Sequence, residues 1–256
     1  MPFKPVQTEK LSHSVTRQIE QLILRGILRP GERLPSEREL SDKMGVSRPS
    51  LREAVADLQT RGLLDSRAGA GLYVAETLGA TFPPALTQLF ATHDEAVFDY
   101  LDFRSDMEGL AAERAARQGS DTDLQVIDTI FGKMEAASNN PDPAAEATLD
   151  AEFHLSIIEA SHNVIMLHMM RSMYDLLRQG VFYNRQVMFK QRTTRHALLD
   201  QHRAINVALQ ARDAVASRAA VMAHLGFVKA ALLDQKKADH NEAVAHLRLD
   251  HEQTRG

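Results

Sequence analysis

Between Ser47 and Arg61 the apolar residues Leu51, Ala54, Val55 and Leu58 return every three or four positions, an interval that lines them on one face of an α-helix. Ser47 stands where an N-cap belongs, Pro49 falls in the first turn, and Gly62 follows as a C′ residue would. Upstream, Val15, Ile19, Leu22 and Ile23 mark another helix, opening at Ser12 or Ser14 and closing near Arg25. Ser36 and Glu39 have capping-box spacing and open a short helix to about Met44, after which Gly45 turns the chain. Leu63–Arg67 and Leu72–Val74 flank a glycine-bearing turn and read as two short strands.

Glu76–Thr87 has no sustained period and reads as a linker. Beyond it the spacing is helical throughout, over Val97–Gln118, Asp121–Ala137, Pro143–Ala160, Val164–Phe189, Thr194–Ala211 and Asp213–Lys237. Breaks fall at Gly119 and Ser120, at Asn139 to Pro141, at Ser161 to Asn163, and at Arg212 and Asp213. The pattern predicts a mainly α protein: a winged helix-turn-helix domain over 1–75, a linker over 76–87, an all-helical bundle over 88–240 and a polar tail over 241–256. His240, His246 and His251 belong to the polar end, in solvent.

Composition changes this picture little. With 256 residues and 44% apolar content the chain can bury a sizeable core, and the absence of cysteine excludes disulfides and thiolate metal sites. No apolar signal precedes Lys10 and no run approaches a membrane span, so a cytoplasmic protein with no membrane partner is expected. The net charge of −4 argues against a nucleic-acid partner. Its distribution mildly reverses that: residues 1–78 hold 12 Lys and Arg against 10 Asp and Glu, leaving the acidic excess on the rest.

The chemistry begins with a charge in an unfavourable place. Arg48 and Arg52 crowd the first turn of the Ser47 helix, beside Ser50, where the helix already carries partial positive charge. An anion would relieve this, and DNA phosphate is the obvious one. The helix-turn-helix order presents that N-terminus to a major groove, and the hairpin behind it has the position of a wing. The motif Leu34-Pro-Ser-Glu-Arg-Glu-Leu40 followed by Val46-Ser-Arg-Pro-Ser-Leu-Arg-Glu-Ala54 resembles the winged-helix head of the GntR family of bacterial transcription regulators. That resemblance implies DNA contacts from Arg38, Ser47, Arg48, Ser50 and Arg52, with Gly69 at the wing tip in the minor groove. Where the family often has a basic residue or histidine before this glycine, the chain has Ala68.

In the helical part, four polar residues share faces with apolar ones. Asp150 and His154 are one turn apart beside Ile157 and Ile158; His202 lies among Leu198, Leu199, Ile205 and Leu209; His224 lies among Val221, Leu225, Val228 and Ala231. Each imidazole alone could be satisfied by a carbonyl, but one divalent metal satisfies all four groups at once. Three nitrogens and one oxygen suit Zn²⁺ first, with Ni²⁺, Mn²⁺ or Fe²⁺ also possible, one ion per chain. The arrangement looks like the FadR-type subgroup and its FCD domain, in which Asp150, His154, His202 and His224 match the metal-binding pattern. Phe153–Asn163 and Asp200–Ile205 look most like the lactate, glycolate and pyruvate regulators of that subgroup, and less like its fatty-acyl member, which lacks the ligands.

Arg104 and Glu108 also face inward, four apart, either as a buried ion pair or with Arg104 forking onto a bound carboxylate near the metal. The expected protein is a homodimeric repressor, not an enzyme, that reads a short inverted repeat in double-stranded DNA. Its expected effector is a small 2-hydroxy or 2-oxo acid such as lactate, glycolate or pyruvate, bound at the metal. Two alternatives stay open: the ion itself is the signal, or the metal activates water in an enzyme.

Overall fold

The structure is a computed structural model, and it describes residues 10–67, 70–75, 82–140, 142–178 and 192–254. The chain forms two compact units, one comprising Met1–Pro83 with Leu167–Ser172 and the other Pro84–Met166 with Met173–Gly256.

The N-terminal unit opens with α1 (Leu11–Leu24), followed by α2 (Glu37–Met44) and α3 (Arg48–Thr60). Neither Ser12 nor Ser14 caps α1: Lys10 holds that position without a side-chain bond, and Ser12 lies buried inside the helix. The buried row Val15, Ile19 and Ile23 extends back one turn to Ser12, so packing decides where this helix begins. The other caps are as expected. Ser36 and Glu39 form a reciprocal capping box, Gly45 closes α2 at φ 64°, and Ser47 accepts from the Ser50 N–H.

Strands β1 (Leu64–Arg67) and β2 (Gly71–Val74) pair antiparallel, Leu64 opposite Val74 and Arg67 opposite Gly71. The stretch before α2 also joins them: Arg33 bridges Tyr73, and Leu34 N–H donates to the Leu72 carbonyl at 2.8 Å. Leu51, Leu58, Leu64 and Val74 are at most 1% exposed and lock α3 to the hairpin together with Ile19 and Leu34. Burying each such leucine is worth about 1.5–3 kcal/mol, which holds α3 in one orientation on its support.

The second unit begins four residues earlier than the 88–240 reading, with α4 (Pro84–Thr92), because Pro84 is well placed in a first helical turn. It continues with α5 (Asp94–Gln118), α6 (Asp121–Ser138), α7 (Pro143–Ala160), α8 (Val164–Arg178, less the Leu167–Ser172 stretch counted with the first unit), α9 (Arg192–Gln210) and α10 (Ala214–Thr254). Residues 179–189, expected to extend the Val164 helix, lie outside the described residues. On α5, Ala111, Ala112, Ala115 and Ala116 are fully buried, and a side chain at Gly109 would meet Met222 at 3.2 Å, so small residues let α10 approach closely. Phe131, Phe153, Ile157, Ile205, Leu209, Val221 and Leu225 fill the space between α6, α7, α9 and α10.

The expected polar tail is helical. Nothing from Phe227 to Arg255 is glycine or proline, and α10 runs 41 residues to Thr254. By length and composition α10 is long and apolar enough to cross a membrane. Its row Ser217, Val221, His224, Leu225, Val228 and Leu232 is nevertheless buried in the bundle, and Lys229 and Arg218 on its flank pair with Asp102 and Glu113 of α5.

Candidate metal centre

The four inward polar residues converge. One donor atom from each of Asp150, His154, His202 and His224 lies within 4.8 Å of every other, and all four residues are buried. Three helices supply them: α7 gives Asp150 and His154 one turn apart, α9 gives His202 and α10 gives His224. Nε2 of His202 lies 3.0 Å from Oδ1 of Asp150 and 3.3 Å from Nε2 of His154, and His154 Nε2 is 3.8 Å from the same oxygen. Tetrahedral Zn²⁺ with bonds of about 2.0–2.1 Å separates its ligands by about 3.3 Å, so the donor set fits such an ion. The rings pack closely, with the His202 and His224 centroids 4.5 Å apart, and the Phe153 ring stands edge-on to His202 at 5.3 Å as an apolar wall.

Electrostatics favours ligation. Burial lowers the basicity of His154, against the opposing pull of Glu108. Burial, with His202 and His154 beside it, holds His224 well below the ordinary histidine range. Both rings are therefore held in the neutral form that a metal requires.

Outer partners orient two of the three rings. Nδ1 of His154 is 2.7 Å from Oε2 of Glu108, and Nδ1 of His224 is 3.0 Å from Oε1 of Gln201. With these nitrogens engaged, Nε2 is left to face the cluster. Glu108 is itself enclosed: its Oε1 accepts from Arg104 Nε at 2.6 Å and from the Tyr174 hydroxyl at 2.7 Å, while Arg104 also donates to Tyr174 at 2.8 Å. Burial alone would raise the Glu108 pKa, but Arg104 and His154 overcome it and hold the carboxyl well below the usual carboxylate range.

Of the two expectations for Arg104, the structure shows the buried ion pair with Glu108, so Nε and one terminal nitrogen already have acceptors. Sequence periodicity had placed Arg104 and Glu108 on the inward face; it gave no sign of Tyr174 or Gln201, which arrive from other helices.

In the N-terminal unit, Arg38, Ser47, Arg48 and Arg52 are exposed and Ser50 is partly so. Ser47 Oγ sits 2.9 Å from Ser50 Oγ at the start of α3, and Arg52 Nε donates to Glu37 of α2 at 2.8 Å. Arg67 stacks over the Tyr73 ring at 4.3 Å, at the base of the hairpin turn. Ala68 and Gly69 lie outside the described residues.

Residues 11–74 match the bacterial regulatory proteins of the gntR family, and residues 99–227 match the FCD domain. The chain is 37% identical over 241 residues to a protein of Escherichia coli named as regulatory for the L-lactate dehydrogenase operon, covering 92% of each. It is equally 37% identical over 236 residues to the Glc operon transcriptional activator of Escherichia coli, covering 89% of this chain and 91% of that one. Among solved structures, a Streptococcus agalactiae GntR is similar with a TM-score of 0.55 and 27% identity, over 86% of this chain and 99% of that one.

Proposed function

Because the chain belongs to the gntR family of bacterial regulatory proteins and carries an FCD domain, it is a DNA-binding regulator and no enzyme, and we propose that a divalent metal in its body is the signal it reads. The observation that carries this reading is the buried convergence of Asp150, His154, His202 and His224. A charged or dipolar group left alone there would destabilise the fold, whereas an ion turns the same polarity into coordination. Zn²⁺ fits best, one per chain, with Ni²⁺, Mn²⁺ and Fe²⁺ as competitors. Arg38, Ser47, Arg48, Ser50, Arg52 and Gly69 form the DNA surface in this reading. Two heads in a cytoplasmic homodimer of the FadR-type subgroup read a short inverted repeat, and no membrane is involved. Repression follows where that repeat overlaps a promoter.

A second reading has its own support. Two relatives are named for L-lactate dehydrogenase and Glc operons, and the buried Arg104 sits one outer partner away from His154. Here a small 2-hydroxy or 2-oxo acid chelates the ion and shifts Arg104 from Glu108 to its own carboxylate. Operator binding with metal stripped and restored, each with and without lactate, glycolate and pyruvate, separates the two. A response to metal alone supports the ion as signal; a response only to acid plus metal supports the second reading; no response to either overturns both.

A further inference from the structure

The three histidines of the cluster are not supported alike. Nδ1 of His224 has Gln201 at 3.0 Å, and Nδ1 of His154 has a Glu108 oxygen at 2.7 Å in an ion-pair approach that falls short of hydrogen-bond geometry, whereas Nδ1 of His202 is buried with neither kind of partner. Once Nε2 of His202 ligates an ion, the ring proton resides on Nδ1 and needs an acceptor.

His202 also lines a small cavity, together with Glu146, Arg195 and the apolar Leu149, Leu199 and Met134. Its volume of about 20 Å³ admits an ordered water. Glu146 is 7% exposed, and its Oε1 is a second buried atom without a partner. Its other oxygen faces Arg195 Nε at 3.8 Å, an ion pair too long to be a hydrogen bond. Three unpartnered buried atoms, Nδ1 of His202, Oε1 of Glu146 and Nε of Arg195, thus belong to residues lining one water-sized space, which Ser138 also borders, and buried polar groups of this kind are ordinarily satisfied by an ordered water.

We propose that Glu146 is a positioning residue for the metal centre, accepting a hydrogen bond from a water in this cavity that itself accepts the Nδ1–H of His202. Burial pushes the Glu146 carboxyl above the usual carboxylate range, and Arg195 opposes that rise. Glu146, Asp150 and His154 then form one row on α7, the first acting through water and the other two directly. The proposal rests on the metal reading above and deepens it.

The test measures Zn²⁺ affinity by competition with a chromophoric chelator, together with the visible spectrum of the Co²⁺-loaded protein and the melting temperature of the metal-free form. Glu146→Ala should lower Zn²⁺ affinity about tenfold and alter the Co²⁺ spectrum, since outer partners of ligating histidines typically contribute that much. Glu146→Gln keeps an acceptor and should recover most of both. A purely structural role would lower the metal-free melting temperature and leave the Co²⁺ spectrum unchanged. Wild-type affinity and spectrum in Glu146→Ala would overturn the proposal. Should that variant not fold, a crystal structure of the zinc-loaded wild-type chain decides: a water bridging His202 and Glu146 is expected, and a dry cavity overturns it. A wild-type chain that binds no divalent ion at all would bring down the metal reading, and this relay with it.

Discussion

Glu108 and His154 meet inside the bundle, Oε2 of the carboxylate 2.7 Å from Nδ1 of the ring. A carboxylate on Nδ1 holds the proton there and turns Nε2, with its lone pair, toward Asp150 and His202. The same Glu108 also engages Arg104 and Tyr174 through its other oxygen, so one side chain serves both the cluster and the charged network behind it.

Glu108→Gln should therefore do two separable things. Loss of the negative charge leaves Arg104 buried without its counter-ion, which costs about 3–5 kcal/mol of stability and appears as a lower melting temperature. Loss of the carboxylate behind His154 should weaken metal binding about 10–100-fold in chelator competition. Unchanged metal affinity in a folded variant would show that Glu108 serves Arg104 alone.

His202→Ala and His224→Ala should each reduce bound metal, and with it the stability that metal confers. For an ion at a hundred times its dissociation constant that stabilisation is about 2.7 kcal/mol, so melting curves with and without added Zn²⁺ should converge in these variants. A full complement of tightly bound metal in both would contradict the ligand set.

Acid should weaken the metal-free body, with the sign set by the lowered histidines. His154 and His224 resist protonation in the fold, chiefly through burial, whereas in the unfolded chain they titrate near ~6.5. Below that value the unfolded chain takes up protons that the fold refuses, so the contribution is complete above it and is lost as pH falls. Glu108, held low by Arg104 and His154, adds a further loss below its unfolded value of about 4.3. The rings are faced by Asp150, Glu108, Arg104 and His202, none of which reverses the direction. Urea midpoints measured from pH 7.5 to 5 should fall steadily; a flat profile would mean the rings are not held neutral.

Much of this was legible in the sequence, for identifiable reasons. The caps at Ser36 and Ser47 are local bonds between residues three apart, so spacing alone reveals them. Asp150, His154, His202 and His224 were visible because each interrupts an apolar row. Gln201 and Tyr174 were not, because each reaches its partner from another helix, and spacing within one helix carries no sign of a contact made across two. The start of α1 was misplaced because burial of Ser12 outweighs the cap it could have made. The strand-like pairing of Arg33 and Leu34 with β2 was hidden because the prolines around it read only as a break.

Arg48→Ala and Arg52→Ala should each weaken operator binding and reduce its dependence on log salt by about one counter-ion, leaving metal content unchanged. Arg52 is held by Glu37, but both are partly solvated, and such a pair is worth at most about 1 kcal/mol. A phosphate can therefore displace Glu37. Gel-shift titrations across salt concentrations test this, and unchanged affinity and slope in both variants would contradict the assignment of α3 as the recognition helix.

The central claim, that metal in the body sets operator affinity of the head, implies reciprocity: whatever factor the ion changes DNA binding by, DNA must change ion binding by the same factor. Zn²⁺ affinity should be measured by chelator competition with and without a saturating duplex selected from random sequence by the chain itself. The duplex should shift Zn²⁺ affinity by the factor with which Zn²⁺ shifts duplex affinity. Identical Zn²⁺ affinity with and without the duplex would contradict it.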